Sequence, residues 1–374
     1  MKMKQKVTST IWSRVTGFSR RLEFLLLPKV TAKLPTTNVD VTGWEFPEGL
    51  STTLLVNLAR KWQKLALQFD EIHRAFASAS DGKMKKGIHL PIRVAALVIL
   101  TSNILQHTAS KIADIHNQYR EAEFCGWNIN DFSYYFASRN YSFIFKHIPY
   151  NIFILLFFEY AATALTVAWG CHDLMIILIS IGVTYYYRLI YDKVRPFESG
   201  IMIANERLWM DIRSYYGMLH EFVNKINGYL SLIIIHSCGK NLFLMCYELI
   251  NITRKDDSIL SLIHHWCALI YLIVQTAMVF YSASMMNETA QAPLIVCKRI
   301  PNLGWCTELE RYIEQLRFNR VAFSGMGFFH ITKKSMLAMA GSVITYELVM
   351  LKFAQDTEGI GDVVPCSKLA FSKD

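Results

Sequence analysis

NIFILLFFEYAATALTVAWGCHDLMIILISIGVTYYY, residues 151–187, decides what kind of protein this is. Its only formally charged members are Glu159 and Asp173. About 20 apolar residues are enough to cross a bilayer as a helix, so this run is longer than one crossing needs. It could hold two helices turned at Gly170-Cys171-His172-Asp173, or one helix that continues into the cytoplasm. No loop of adequate length separates the halves, and the reading adopted is a single helix. Four more runs are long and apolar enough to span: Ile88 to Thr108, Leu230 to Ile250, Leu260 to Met285 and Ser335 to Phe353. The fold class predicted is an all-α, polytopic membrane bundle with about five clear spans, embedded in membrane lipid.

Composition agrees. The 374 residues are 52% hydrophobic and 13% aromatic. A net charge of +9 would suit nucleic acid, but the basic residues flank the apolar runs in short connections. No basic stripe with interleaved aromatics appears, so no nucleic-acid partner is expected. The connections 57–93, 185–227 and 286–334 hold eight, six and seven Lys and Arg, whereas 109–150, 252–259 and 354–374 hold four, two and two. The positive-inside rule makes the first set cytoplasmic. The N-terminus is then cytoplasmic and the C-terminus extracellular. Two glycosylation sequons, Asn140-Tyr141-Ser142 and Asn251-Ile252-Thr253, fall on the outer side; a third, Asn287-Glu288-Thr289, falls on the inner side. Met1 to Phe18 is basic without an apolar core or cleavage site, and is not expected to be a signal peptide.

The connections carry their own pattern. Arg60-Lys61-Trp62-Gln63-Lys64 with Phe69, Ile72 and Phe76 reads as an amphipathic helix with a basic face. Trp209, Ile212, Tyr215, Tyr216, Leu219, Phe222 and Val223 repeat at helical spacing, and so do Trp305, Leu309, Tyr312 and Leu316. Such helices either bundle beneath the membrane or lie on lipid headgroups.

Catalytic chemistry finds little footing. The eight cysteines show no CxxC and no metal-ligand spacing, and Cys171, Cys238, Cys246 and Cys267 read as packing residues. Cys125 and Cys366 lie in segments assigned to the outside, where a disulfide is open to them. Adjacent His264 and His265 point about 100° apart on a helix, a poor metal site. There is no Gly-rich phosphate loop and no GxSxG. His172-Asp173 could do general-base work in a membrane enzyme or transporter, or could be a buried pair satisfied by neighbouring helices. The chain is expected not to be an enzyme and to hold no cofactor or metal.

A binding role has more support. Polar and aromatic groups crowd the outer halves of the spans: Asn103, Gln106 and His107; Glu159 and Tyr160; Tyr247, Glu248 and Asn251; His264, His265, Trp266 and Tyr271. Hydrocarbon does not tolerate them facing lipid. If the helices pack together, these groups converge on an outward-opening cavity suited to hydroxyl-rich ligands, since carboxylates bond hydroxyls and aromatic faces cover ring surfaces.

The last span ends Thr345-Tyr346-Glu347-Leu348-Val349-Met350-Leu351-Lys352-Phe353. Upstream stand Trp305-Cys306-Thr307-Glu308-Leu309-Glu310-Arg311, Ala322-Phe323-Ser324-Gly325, Thr332-Lys333-Lys334, Met339-Ala340-Gly341, and Trp209 with Ile212, Arg213 and Tyr216. In these motifs the chain resembles the insect gustatory receptors, in their sugar (sweet-taste) branch, over roughly residues 50–355. The resemblance implies an inverted seven-helix protein of the insect chemoreceptor type in the plasma membrane of chemosensory neurons. It implies a ligand-gated cation channel, tetrameric with other gustatory receptor subunits, that is opened by sugars. Gln106, His107, Glu159, Tyr247, Glu248, His265 and Trp266 are then the candidate ligand contacts, and Tyr346, Met350, Lys352 and Phe353 the candidate pore and gate.

The domains expected are an atypical segment at 1–48, a cytoplasmic amphipathic region at 49–87, a ligand-binding bundle at 88–285, a cytoplasmic anchor at 286–334, a pore helix at 335–354 and an outer tail at 355–374. Two features depart from the family. Ile88 to Thr108 matches its third helix and Leu50 to Leu58 the tail of its second, so a truncated gene model or splice form is one explanation. Lys352 stands where the family has Gln, and two ammonium groups about 8 Å apart at an effective dielectric of 20 repel by about 2 kcal/mol. A non-conducting accessory subunit is therefore the alternative role.

Overall fold

The computed structural model describes residues 48–79, 89–199, 205–253, 259–342 and 345. The described residues are helical almost throughout: α1 (Glu48–Ala79), α2 (His89–Phe124), α3 (Phe132–Asn140), α4 (Ser142–Phe145), α5 (Ile152–Val194), α6 (Glu206–Thr253), α7 (Ile259–Cys297) and α8 (Thr307–Phe318). A two-residue hairpin, β1 (Ser324–Gly325) with β2 (Phe329–His330), precedes α9, at 333–342. The long second run is one helix, α5, as the missing loop required. By length and composition α2, α5, α6 and α7 can each cross a membrane. The fifth expected span begins as α9, while Tyr346, Met350, Lys352 and Phe353 lie outside the described residues.

Two compact units emerge, each assembled from interleaved segments. The first takes the described residues up to Leu100, Ala168–Lys240 and Gln275–Met339. Its core begins with α1, whose Leu54, Leu58, Trp62, Leu65, Ile72 and Phe76 are all buried, with Phe69 packed against them. Steps of three and four keep these side chains on one stripe of a helix. Arg60, Lys61, Gln63 and Lys64 occupy the exposed face. On α6, Trp209, Ile212, Tyr216, Leu219, Phe222 and Val223 are buried in the same core. Both amphipathic patterns therefore serve a helical bundle.

α8 adds Leu309, Tyr312 and Leu316 to that core. Trp305, predicted to share this stripe, does not: its side chain is 46% exposed. Pro301 opens a short 3-10 turn over Asn302–Gly304, and Trp305 follows in extended backbone before α8 begins. The repeat was real from Leu309 onward, and a turn interrupts it before Trp305.

Glu308 ties this part together. It accepts from Arg213 Nε at 2.8 Å and Arg311 Nη1 at 2.7 Å. These guanidiniums, Arg311 foremost, hold its carboxyl below the ordinary carboxylate range. A carboxyl acidified by folding stabilises the fold above its unfolded pKa, and that contribution is lost as pH falls through the folded pKa. Melting temperature should therefore drop on acidification through and below the carboxylate range, and drop less steeply in Glu308→Gln. Equal slopes in the two proteins would remove Glu308 from the acid response.

The hairpin turns tightly at Met326 (φ 49°) and Gly327 (φ 79°), closed by Phe328 N–H to Gly325 O at 2.9 Å. The loop between the strands is Met326, Gly327 and Phe328, and the two successive positive-φ residues give its turn the twist antiparallel strands favour. Thr332 and Ser335 then exchange backbone-to-side-chain bonds of 2.8 and 3.3 Å. This reciprocal cap starts α9.

The second unit takes Thr101–Val167, Asn241–Val274 and the described residues from Ala340. Its apolar core is small, Met245, Leu269 and Leu272 with Leu244, Leu249, Ile252 and Tyr271 around it. The most apolar window of α2 has none of its residues buried. Leu97, Val98, Ile104, Leu105 and Ile112 are all exposed on that helix. Water would not support so large an apolar face, and hydrocarbon does. Cys125 is disulfide-bonded; Cys366, the partner the sequence left open to it, lies outside the described residues. Cys171 is buried as predicted, whereas Cys267 is exposed.

Candidate functional site

The second unit gathers most of the polar set. Glu159 on α5 is its hub. Its carboxylate accepts from Lys111 Nζ at 2.9 Å and from Tyr141 Oη–H at 2.8 Å. One turn along α5, Thr163 Oγ1 lies 3.3 Å from His107 Nε2. On α7, His265 Nδ1 sits 2.7 Å from Glu248 Oε2 of α6. His264 Nε2 is 3.4 Å from Ser110 Oγ of α2. Asp114, exposed on α2, lies within electrostatic range of Lys111, His264, His265 and Glu159. Tyr271 donates to Asn103, again joining α7 to α2.

The outcome is one connected polar face on α2, α5, α6 and α7. Glu159, His107, Glu248 and His265 belong to it. Gln106 is half-buried beside His107. Tyr247 and Trp266 present rings 52% and 48% exposed, outside this bonding. Lys111, Asp114, Ser110, Thr163 and Tyr141 are members that sequence reasoning missed. The Lys111–Glu159 pair is partly exposed, 32% and 24%, so its charges remain open to solvent and to a competing hydroxyl. Three carboxylates, three imidazoles, an ammonium and two phenols make a face that both donates to and accepts from polyhydroxy molecules.

His172-Asp173 behaves otherwise. It lies in the first unit and is completely buried. Asp173 accepts from Ser237 Oγ, from Gln275 Nε2 at 2.6 Å and from Lys240 Nζ at 3.4 Å. Lys240 also donates to Trp169 O at 3.3 Å. The His172 ring meets His236 edge-on at 5.2 Å. A carboxylate held by three donors from two other helices fastens α5 to α6 and α7. For Asp173 this is the buried, satisfied reading of the two the sequence left open, and His172 is buried beside it. An open cleft of about 540 Å³ also belongs to this unit, lined by Asp192, Arg195, Pro196 and Glu198. Arg299 closes on Glu198 at 2.5 Å.

Comparison with known proteins agrees with this architecture. The family model described as trehalose receptor matches residues 49–363. The chain is 30% identical over 302 residues to gustatory receptor for sugar taste 64a of Drosophila melanogaster, covering 80% of this chain and 66% of the relative. It is 23% identical over 320 residues to the fly's gustatory receptor 5a for trehalose, covering 85% of this chain and 68% of the relative. The chain thus spans about two thirds of the length of the curated relatives it matches. Among solved structures, the insect olfactory receptor OR5 of Machilis hrabei, in complex with eugenol, superposes with a TM-score of 0.51 at 12% identity. That match covers 92% of this chain and 98% of the other, and it carries the fold: an all-α insect chemoreceptor bundle. The chain belongs to the trehalose receptor family, the sugar-taste branch of the insect gustatory receptors.

Proposed function

We propose that this chain is a sugar-sensing subunit of a ligand-gated cation channel in the plasma membrane of chemosensory neurons. The observation that carries this reading is the polar face centred on Glu159, in a family whose named relatives include sugar and trehalose receptors. Sugar hydroxyls would exchange with the Lys111–Glu159–Tyr141 and Glu248–His265 bonds. Gln106 and His107 would border that ligand, with Tyr247 and Trp266 covering its ring faces. Loop charge supports a cytoplasmic N-terminus and an extracellular C-terminus, with the polar face opening outward.

In this reading the channel is a tetramer, with this chain joined by other gustatory receptor subunits. The last helix lines its pore through Tyr346, Met350, Lys352 and Phe353. Ligand-driven closure of the polar face would move that helix. Lys352 favours a second reading, an accessory subunit that binds sugar but leaves conduction to its partners. Whole-cell recording decides between them. Sugar-evoked current from this chain alone supports the conducting subunit. Current only with a second sugar receptor, altered by this chain's presence, supports the accessory role. Silence to every sugar in every combination would contradict both.

A further inference from the structure

We propose that Asn140 carries an N-linked oligosaccharide. The chain has three acceptor triplets, and the structure separates them. Asn251 sits in α6 inside the segment Glu206–Ile252 that is apolar enough to span. Asn287 sits in the α7 span, half-buried, and its Nδ2 donates to Val321 O at 2.7 Å. Asn140 differs on each count. It is exposed, and it lies between the spans that end at Phe124 and begin at Ile152. It is the last residue of α3, and Tyr141 breaks the helix there with φ −126° and ψ 34°. Ser142, whose hydroxyl completes the triplet, is exposed at the start of α4. An acceptor at an exposed helix break outside the bilayer is where a bulky, solubilising glycan fits.

The chemistry has a local consequence. In the transfer, Asn140 Nδ2 attacks the anomeric carbon of a polyprenyl-diphosphate-linked oligosaccharide. The N–C1 bond forms as the C1–O bond breaks; the amide gives up one proton, and the lipid diphosphate leaves. In the unmodified chain Asn140 and Gln118 exchange amide bonds, Nδ2 to Oε1 at 3.0 Å and Nε2 to Oδ1 at 3.1 Å. Such a two-way pair uses the N–H on the same side as the carbonyl oxygen. A glycan on a trans amide occupies that position, so pair and glycan exclude each other. Both amides are at the surface, so water takes over their bonds and nothing is left buried and unsatisfied. The glycan would stand one residue from Tyr141, whose phenol holds Glu159.

The inference rests on the orientation proposed above and needs no sugar response. The test is peptide N-glycosidase digestion of the full chain from insect cells, read as mobility on a denaturing gel. The wild type should lose one step of apparent mass at Asn140. Undigested Asn140→Gln and Ser142→Ala should each lack that step, whereas Asn251→Gln and Asn287→Gln should keep it. Ser142→Ala leaves the Asn140 side chain in place, so a folding defect in the first variant does not decide the result. A wild type unmoved by digestion, or a full shift surviving in both Asn140→Gln and Ser142→Ala, overturns the proposal. Membrane-impermeant maleimide on Lys146→Cys, compared with the wild type on intact cells, then separates causes. Labelling from outside means the loop is external and the glycan alone is wrong; protection means the orientation fails with it.

Discussion

Lys240→Met, made alone, should destabilise the purified protein by about 3–5 kcal/mol, because it strips the ammonium from a carboxylate that cannot reach water. Asp173 is completely buried and Lys240 is 4% exposed. Ser237 and Gln275 would still donate to Asp173, so the charge would be solvated by two neutral dipoles instead of an opposite charge. Asp173→Asn should cost a similar amount from the other side, leaving Lys240 with the carbonyl of Trp169. The double variant Asp173→Asn/Lys240→Met removes both charges and should recover most of the loss. Denaturant unfolding of the detergent-solubilised chain measures all three. Losses that simply add would show that the two residues do not act as a pair.

The second large effect lies at the polar face. Glu159→Ala removes the acceptor of both the Lys111 ammonium and the Tyr141 phenol. Hydrogen bonds to a charged group contribute about 1.5–3 kcal/mol, which corresponds to roughly a 10- to 150-fold rise in half-maximal sugar concentration. Tyr141→Phe deletes one donor and keeps the carboxylate and its ammonium. Its cost is expected near 1 kcal/mol, roughly fivefold. Dose–response curves on surface-expressed protein give both figures. If Tyr141→Phe shifted the curve more than Glu159→Ala, the carboxylate would not be the hub of the face.

These two clusters differ in how far sequence alone could reach them. The helices were legible because apolar period and run length are local properties: the steps from Leu54 to Phe76, and the unbroken run of α5, need no partner to be recognised. Helix ends were less so. The apolar run of α2 stops near Thr108, yet the helix continues to Phe124. Hydrophobicity marks where hydrocarbon ends, and backbone hydrogen bonding carries on past it. Ser110, Lys111 and Asp114 sit in that continuation, which is why a segment assigned to a loop held three members of the face. Tyr141 was hidden for another reason. Its phenol reaches Glu159 across a helix break, and no periodicity records such a contact. Asp173 could be recognised as a costly group at membrane depth. Its donors lie 64, 67 and 102 positions away, on other helices, and only packing brings them together.

Sugar binding through the face centred on Glu159 is the core of the proposed function. Equilibrium binding to the purified chain in lipid nanodiscs tests it most directly, with a panel of mono- and disaccharides against the wild type, Glu159→Ala and Glu248→Ala. The wild type should bind at least one sugar saturably, with affinity weakened at least about tenfold in Glu159→Ala while its unfolding midpoint holds. No saturable binding of any sugar, or binding that both carboxylate variants leave untouched, would contradict it.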